Sequence, residues 1–363
     1  MSKLSPLPLH LRATLLPDGL TPTDLWIVNG RLTFQPQPQS RELAPPNGFV
    51  TPGLVDAHTH LHYALPGDER PQGLAMIQQN RRMHLRAGTL LLRDLGTTDE
   101  AILNLPHDDG LPVVQAAGLS FLTEPKPPFH VTLAEDLPHA VTMQARKGAQ
   151  WIKIFVDWPG WSGKNEEPPF GDDPLTYPLE ILAQTVLSAH AAGARVAVHA
   201  FGRAGAHAAV TARVDSIEHG WGLTPQLLDQ MAEQHIAWTP MLSLAAPMLK
   251  SAHPEQATWI RSCLQVLPQL LPYAQARGVP ILAGTDWFPS IRLHQEVAQL
   301  HAFGLTPQEA LATATTVARQ FLHAPGLEEQ APADLLLFRT DPRLNLSTLA
   351  FPELILLRGE RVV

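Results

Sequence analysis

The chain of 363 residues contains one cysteine, Cys263, so no disulfide can form within it. A single cysteine is consistent with a reducing compartment. The sequence has no run of about 18 apolar residues, which a membrane-spanning helix would need. Residues 1–19 also lack an apolar stretch followed by a small-residue cleavage site. We therefore expect a cytoplasmic protein with no membrane partner.

Charge of one sign is not concentrated anywhere in the sequence. Lys and Arg total 26 against 34 Asp and Glu, which gives a net charge of -8 with His neutral. The basic block or stripe typical of nucleic-acid-binding proteins is missing. This distribution excludes a nucleic-acid partner and leaves a small-molecule substrate as the expected one.

Apolar residues, at 45%, are abundant enough for one large core and a small appendage. Short β-type runs alternate with longer helical patterns such as Leu179–Ala192 and Thr306–Phe321, which is typical of βα units and a parallel sheet. Eight strands are predicted: Val50–Asp56, Thr89–Asp94, Pro112–Ala117, Trp151–Val156, Arg195–His199, Val214–Glu218, Ile236–Thr239 and Pro280–Thr285.

The two ends of the chain have a different pattern. Leu25–Phe34 is a hairpin candidate around Asn29-Gly30, the strongest hairpin dipeptide. Leu335–Phe338 and Leu354–Val363 also resemble strands. We therefore predict an α/β protein in which residues 51–325 form a (β/α)8 TIM barrel. Residues 1–50 and 326–363 would together form a small β-sandwich.

Polar residues lie at the carboxyl ends of several predicted strands. His58 and His60 follow the first strand, and residues two apart in a strand point to the same face. His199, His219 and Asp286 end three later strands. Catalytic groups of a TIM barrel sit at the carboxyl ends of its strands, so these five side chains are expected to converge on one metal centre.

Lys153 lies inside an apolar run, Trp-Ile-Lys-Ile-Phe-Val. Burying an unpaired ammonium is costly. Either Lys153 pairs with Asp94 or Asp157, or burial lowers its pKa and leaves a neutral amine that can take up CO2 as a carbamate. Spacing alone favours neither alternative. Arg93 and Asp94, at the end of the second predicted strand, are expected to form a structural ion pair under the site.

These segments together resemble a known family. Residues 52–60, Pro-Gly-Leu-Val-Asp-Ala-His-Thr-His, resemble the first-strand motif of the amidohydrolase superfamily. Residues 89–98 (TLLLRDLGTT), 199–202 (HAFG), 215–220 (DSIEHG) and 306–314 (TPQEALATA) look like further segments of the same pattern, in the same order. The resemblance spans nearly the whole chain and is similar in particular to the prolidase-like and imidazolonepropionase-related branch, in which oligomers are common.

The resemblance implies a binuclear metal centre. Its ligands would be His58, His60, Lys153, His199, His219 and Asp286. His58, His60 and Asp286 would hold the more buried ion, and the two later histidines the other. Lys153, as an N6-carboxylated lysine, would bridge the pair. Zinc, two ions per chain, is the expected cofactor, with other divalent ions as alternatives.

The implied reaction is hydrolysis of an amide, a carbon–nitrogen bond other than an ester, by a hydroxide that bridges the metals. The expected substrate is a dipeptide or an N-acyl amino acid. Asp286 is the expected catalytic residue, which takes a proton from the attacking water and passes it to the leaving amine. The expected substrate contacts are His62, Tyr63, His130, Trp158, Arg203 and Trp287.

Other activities use the same scaffold. One is a mononuclear deaminase or a cyclic amidine or imidazolone hydrolase, and another is a lactonase. The deaminase-like relatives usually carry Glu where this chain has Gly202, and they generally lack a lysine at the position of Lys153. Both differences favour the two-metal, amide-hydrolysing branch. A binding protein that has lost activity is disfavoured because all six ligand positions are filled.

Overall fold

The structure is a computed structural model. It describes residues 7–43, 47–63, 73–97, 100–106, 108–122, 131–132, 136–157, 174–286 and 292–362. Parallel strands alternate with helices in the central part of the chain, and strands from both ends form a separate sheet. The α/β class predicted from the sequence is confirmed. Within the described residues, no helix is both long enough and apolar enough to cross a membrane.

The strands are β1 (Leu9–Leu15), β2 (Pro22–Val28), β3 (Arg31–Thr33), β4 (Arg41–Glu42), β5 (Gly48–Pro52), β6 (Leu54–Thr59), β7 (Thr89–Asp94), β8 (Val113–Ala116), β9 (Ser120–Phe121), β10 (Val131–Thr132), β11 (Trp151–Phe155), β12 (Arg195–Ala200), β13 (Ser216–His219), β14 (Ala237–Thr239), β15 (Leu335–Phe338), β16 (Leu354–Leu357) and β17 (Glu360–Arg361).

The α-helices are α1 (Leu74–Arg86), α2 (Leu137–Arg146), α3 (Leu179–Ala191), α4 (Arg203–Ala212), α5 (Pro225–Gln234), α6 (Ala245–Ser251), α7 (Pro254–Arg277), α8 (Leu293–Ala302), α9 (Pro307–Thr313) and α10 (Thr316–Phe321). Short 3₁₀ segments occupy Glu100–Asn104, Leu242–Leu244 and Leu346–Ala350.

The sheet built from the chain ends has the order β17-β16-β15-β5-β1-β2-β3, with β4 paired to β1. The predicted hairpin is confirmed, since β2 and β3 pair antiparallel around Asn29 and Gly30, whose φ angles are 50° and 76°. The carboxyl-terminal strands join through β15, which pairs antiparallel with β5. Buried Leu11, Leu25 and Leu335 belong to the apolar cluster of this sheet.

The central strands are all parallel and form two sheets, β6-β7-β8 and β10-β9-β11-β12-β13-β14. Backbone hydrogen bonds link the sheets on both sides. Gln150 N donates to Ala116 O at 3.1 Å, between the ends of β11 and β8. Ala57 N of β6 donates to Ala283 O at 2.9 Å, and Leu282 N donates to Trp238 O of β14 at 2.8 Å. The segment around 280–285 therefore lies between β14 and β6.

Two of the predicted central strands differ from the structure by more than their end residues. The first predicted strand is two strands, β5 and β6, which separate at Gly53, and β6 extends far enough to include His58. A Cβ on Gly53 would lie 2.5 Å from the Leu90 side chain, so glycine allows this close passage. The eighth predicted strand is reduced to one bridge between Ile281 and Trp238, although the segment remains hydrogen-bonded on both sides.

The predicted helix Thr306–Phe321 is two helices, α9 and α10. Its start is confirmed, because Thr306 and Glu309 form the expected capping box. The helix is interrupted because Thr313 O accepts from Ala283 N, and Ala314 O accepts from Val55 N. These carbonyls bind the central strands instead of continuing a helical ladder.

Candidate metal centre

His58 and His60 converge with Asp286 at the carboxyl end of β6. Asp286 Oδ1 lies 3.3 Å from His58 Nε2 and 3.0 Å from His60 Nε2. Each residue offers one ligand atom, and these atoms all lie within 4.8 Å of one another. Both imidazoles are buried. The structure therefore brings together the three residues that the sequence assigned to the more buried ion.

Asp286 is held by the backbone of the first histidine. Its N–H and that of Thr285 both donate to His58 O, at 2.8 and 3.0 Å. Asp286 has a φ of 53°, a left-handed conformation that is uncommon for a residue other than glycine. The strain is maintained by these hydrogen bonds, and strained backbone of this kind clusters at functional sites.

Buried hydrogen bonds orient both imidazoles. His58 Nδ1 lies 2.7 Å from Glu218 Oε2, and because an ionised carboxylate can only accept, Nδ1 carries the proton. His60 Nδ1 likewise donates to Gly96 O at 2.8 Å. In the neutral ring each Nε2 is thereby left as a lone-pair donor that faces Asp286. This is the arrangement found in metal-binding histidines, whose second nitrogen is bound to a carboxylate or a carbonyl. Burial opposes the protonation of His60, but the carboxylate of Asp286 outweighs it and raises the pKa of His60.

Glu218 was not assigned a role from the sequence. It is fully buried, and it also accepts hydrogen bonds from Arg93 at 2.9 Å and from Ser216 Oγ at 2.6 Å. Burial opposes the charge of Glu218, but Arg93 and His58 outweigh it and hold the pKa of the carboxyl well below its usual value. The predicted ion pair between Arg93 and Asp94 is therefore wrong. Neighbouring residues in β7 point to opposite faces, so Arg93 meets Glu218 instead.

The two acids that were considered as ion-pair partners of Lys153 form hydrogen bonds with other residues. Asp94 accepts from the backbone N–H of Leu61 at 2.7 Å and of Gly96 at 3.0 Å. Asp157 accepts from the backbone N–H of Phe201 and Gly202, at 2.9 and 2.8 Å. These carboxylates fix the loops after β6, β7 and β12. The alternative in which Lys153 pairs with one of them is wrong.

Lys153 is buried, and no described residue forms a hydrogen bond with its Nζ. Burial lowers the pKa of its amine to about 8. Burial is the main cause of the lowered pKa values of His58, His199 and His219, and the charge of Lys153 contributes to all three. The structure therefore favours the alternative in which burial lowers the pKa of Lys153, which leaves a minority of the amine neutral at pH 7.

His199 and His219 lie on the adjacent strands β12 and β13. Their ring centroids are 4.5 Å apart, and the His219 ring is 5.9 Å from that of His58. No described residue forms a hydrogen bond with His219 Nδ1, although the atom is buried. Burial lowers the pKa of His219 to about 3, so the ring is neutral at pH 7. Neutral imidazole is the form that binds metals.

Asp56 acts on the backbone, as its position near a strand end suggests. It accepts hydrogen bonds from His58 N at 3.2 Å and from Thr285 N at 3.1 Å. Its other oxygen accepts from Thr285 Oγ1 at 2.6 Å. Burial raises the pKa of Asp56 to about 7. The residue therefore joins β6 to the segment that carries Asp286.

The predicted substrate contacts are distributed unevenly. His62 and Tyr63 lie beside His60, at ring-centroid distances of 5.9 and 5.2 Å, on a loop whose carbonyls accept from Asn80. Arg203 is exposed at the start of α4, on a cavity that none of the six predicted ligands lines. The other three predicted contacts lie outside the described residues, and they are His130, Trp158 and Trp287.

The family model described as the amidohydrolase family matches residues 49–357. The chain belongs to the amidohydrolase family. The predicted membership is thus confirmed, and with it the prediction of an enzyme that hydrolyses amide bonds. An uncharacterised protein of Mycobacterium tuberculosis (strain H37Rv) is 36% identical over 366 residues, which cover 97% of this chain and 95% of the relative.

Two solved structures have the same fold at lower identity. A prolidase complexed with N-methylphosphonate-L-proline has a TM-score of 0.81 at 21% identity, covering 98% of this chain and 99% of that one. The Aspergillus niger ochratoxinase also has a TM-score of 0.81 at 21% identity, covering 98% and 95%. At this identity the likeness concerns the fold.

Proposed function

We propose that this amidohydrolase is a metal-dependent enzyme that cleaves the amide bond of a dipeptide or an N-acyl amino acid. The observation that carries the proposal is the buried cluster in which His58 Nε2 and His60 Nε2 both face Asp286 Oδ1. In an apolar interior, such a set of lone-pair donors is stabilised best by a cation.

The architecture proposed around this centre is a closed (β/α)8 barrel over residues 51–325. The hydrogen bond from Gln150 N to Ala116 O, and those of the 280–285 segment to both β14 and β6, support closure. We propose that residues 1–50 and 326–363 form a small β-sandwich domain. Its support is the sheet in which β15 to β17 join β1 to β5.

The chemistry of the residues fits a divalent metal. Two buried nitrogens, His58 Nε2 and His219 Nδ1, have no hydrogen-bond partner among the described residues, and the same holds for Lys153 Nζ. Burial lowers the pKa of both histidines and of Lys153, which favours uncharged nitrogen donors. Imidazole and carboxylate ligands suit zinc, and other divalent ions are alternatives.

Six side chains would hold two ions. His58, His60 and Asp286 would hold the first ion, and His199 and His219 the second. Lys153 would lie between them as a carbamate. In that modification the neutral Nζ attacks CO2, a nitrogen–carbon bond forms, and one proton leaves, which converts an amine into an anion with two oxygens.

A bound divalent ion supplies Lewis acidity, which polarises the substrate carbonyl and makes water more acidic. Asp286 accepts the proton of the attacking water and donates it to the leaving nitrogen as the amide C–N bond breaks. The products are a carboxylate and an amine. Glu218 and Gly96 O hold the imidazoles of His58 and His60 in the required tautomer throughout. His62 and Tyr63, beside His60, are placed to contact the substrate.

The substrate class rests on the fold relatives. One is the prolidase with N-methylphosphonate-L-proline, and another is a Xaa-Pro dipeptidase with bound methionine, at a TM-score of 0.79 and 19% identity. These names support dipeptides as the first compounds to assay, and N-acyl amino acids, which contain the same kind of amide bond, are assayed beside them. Deaminase, imidazolone hydrolase and lactonase substrates form the comparison set.

The test combines metal content with turnover. Protein purified without chelator is analysed for bound metals and assayed on the dipeptide and N-acyl panel, together with Asp286→Asn and Lys153→Ala. We expect about two ions per wild-type chain and fewer in Lys153→Ala. For Asp286→Asn we expect turnover about 10²- to 10⁴-fold lower, the range for loss of a general acid–base group. His139→Ala, on the exposed surface of α2, is the control and should match the wild type.

Three outcomes would contradict parts of the proposal. One ion per chain, unchanged in Lys153→Ala, would favour the mononuclear deaminase-like branch. Near-native turnover of Asp286→Asn at full metal occupancy would remove Asp286 from proton transfer. Protein that neither contains metal nor takes up added zinc would overturn the proposal.

A further inference from the structure

A cavity lies between the start of α4, the loop from β13 to α5, and α7. Its volume is about 380 Å³, which falls in the range of about 300–1,000 Å³ typical of small-molecule sites. Trp221 and Trp259 form part of its wall, with nearly parallel rings whose planes differ by 19°. Leu223 and Val266 add further apolar surface. The cavity is therefore large enough for a small ring system and offers flat apolar walls.

Phe201 contacts both a candidate ligand of the metal centre and the wall of this cavity. Phe201 stacks on His219, with ring centroids 4.2 Å apart and planes 15° apart. Phe201 also meets Trp221 and Trp259 edge to face, with ring centroids 5.2 and 6.1 Å away. None of the six candidate ligands lines the cavity. The cavity is thus a neighbour of the metal centre and not part of it.

Arg203 supplies the charge of the cavity. It is the charged residue among the described side chains that form the lining, and it is exposed. No residue in the described part of the chain forms an ion pair or a hydrogen bond with the guanidinium of Arg203. A guanidinium binds carboxylates through a pair of parallel hydrogen bonds and also stacks on aromatic rings. Beside it, α5 begins at Pro225, after Thr224, so the positive end of its helix dipole lies at the same cavity.

We propose that this cavity is a second ligand site, which binds an organic carboxylate with a flat apolar body, such as an aromatic acid. Arg203 binds the carboxylate, and the two tryptophans and their apolar neighbours contact the ring. The proposal goes beyond the amide hydrolysis proposed above and does not depend on metal chemistry. Because Phe201 contacts both the cavity wall and His219, an occupant lies one side chain away from the candidate ligands.

Alkylation of Cys263 can be used to measure whether the cavity is occupied. Cys263 is the single cysteine of the sequence, it lines the cavity, and only 8% of it is exposed. Alkylation of the protein by iodoacetamide therefore reports on this one position. A ligand in the cavity should slow the alkylation of Cys263.

The probe is 3-phenylpropanoate, and its neutral amide, 3-phenylpropanamide, is the control ligand. Affinity is measured by calorimetry and by quenching of tryptophan fluorescence, and occupancy of the cavity by the rate of Cys263 alkylation. We expect saturable binding of the acid, protection of Cys263, and weaker binding of the amide. Arg203→Ala should weaken binding of the acid by about 10- to 100-fold, the range for loss of a charge-assisted hydrogen bond. Arg203→Lys should weaken it less.

Matched controls show where the acid binds. Arg146→Ala removes an exposed arginine from α2, far along the chain from the cavity, and should bind the acid like the wild type. Asp286→Asn should also keep the affinity and the protection of Cys263. The proposal is overturned if the acid binds without protecting Cys263. It is also overturned if Arg203→Ala binds normally, if Asp286→Asn loses binding, or if the acid does not bind.

Discussion

Glu218 accepts the Nδ1–H of His58 across 2.7 Å, and its second oxygen is paired with Arg93 at 2.9 Å. All three side chains are almost completely buried. The arginine keeps the carboxylate charged, and the carboxylate determines which nitrogen of His58 carries the proton. The cluster therefore prepares His58 Nε2 as a metal ligand before any ion binds.

The first prediction concerns this carboxylate. Glu218→Gln leaves a weaker acceptor for His58 and an unpaired guanidinium at Arg93. We expect the affinity for zinc to fall about 10- to 100-fold, as is common when a group that orients a metal ligand is changed. The measurement is a titration of metal-free protein with zinc in competition with a chelating dye.

Ser216→Ala is the matched control, because it removes one hydrogen bond from Glu218 and one from Arg93 but keeps the charge of Glu218 and its contact with His58. Its zinc affinity should stay near that of the wild type. Wild-type affinity in Glu218→Gln would show that the orientation of His58 does not depend on this acid.

The general architecture could be predicted because it follows from local patterns. Apolar runs of strand length ending in polar residues predicted β7, β11 and β12 nearly to their observed bounds. The Asn29-Gly30 hairpin and the capping box at Thr306 were predicted from short-range chemistry. The elements with wrong bounds are those shaped by long-range hydrogen bonds, such as the interrupted helix after Thr313.

The candidate ligands could be predicted as separate strand-end residues, and the structure brings His58, His60 and Asp286 together. The contacts that support these ligands could not be predicted from the sequence. Arg93 and Glu218 are 125 positions apart, and nothing in their spacing shows that β7 and β13 direct these side chains to the same point. The predicted ion pair between Arg93 and Asp94 was wrong because neighbouring residues of a strand point to opposite faces of the sheet. Arg203 follows the HAFG motif but lies on a different cavity.

The second prediction concerns the modification of Lys153. Burial lowers the pKa of its amine to about 8, so about one amine in ten is neutral at pH 7, far more than for an ordinary lysine. Protein incubated with ¹³C-labelled bicarbonate and zinc should show a carbamate carbon resonance by NMR. Lys153→Arg, which keeps the charge but cannot form this carbamate, should lack the resonance. An identical spectrum from both proteins would contradict the carboxylation.

The third prediction concerns the close approach of backbone to the metal cluster at Gly284. A Cβ at this position would lie 2.8 Å from His58 Cβ and 2.8 Å from Thr239 Cγ2. Gly284→Ala should therefore displace His58, destabilise the protein by about 1–3 kcal/mol, and weaken zinc binding. The checks are urea unfolding and zinc titration.

Gly326→Ala is the control for this substitution, because a Cβ there meets no atom within 4 Å. Its stability and zinc affinity should be close to those of the wild type. If Gly284→Ala behaves like Gly326→Ala, then β6 has room to shift and the position of His58 is not determined by this contact.

The fourth prediction concerns Glu296, a buried acid of α8. Its oxygens accept from Leu242 N at 2.9 Å and from Ser243 N and Oγ at 2.7 and 2.6 Å. Burial nevertheless raises the pKa of Glu296 from the ordinary value of 4.5 to about 7. A raised carboxyl pKa means that the folded protein binds a proton that the unfolded chain has already released. The stability contributed by this proton is present below about pH 4.5 and is lost as the pH rises to about 7.

Glu296→Gln removes this titration. The free energy of unfolding of the wild type, minus that of the variant, should therefore fall by about 1–3 kcal/mol between pH 4.5 and 7.5. Urea unfolding of both proteins at several pH values measures this difference, and it cancels the contributions of groups that the two proteins share. Glu180→Gln, at an exposed position of α3, serves as the control and should show no such trend. Parallel pH profiles for the wild type and Glu296→Gln would show that Glu296 is ionised throughout this range, with its three hydrogen bonds outweighing the cost of burial.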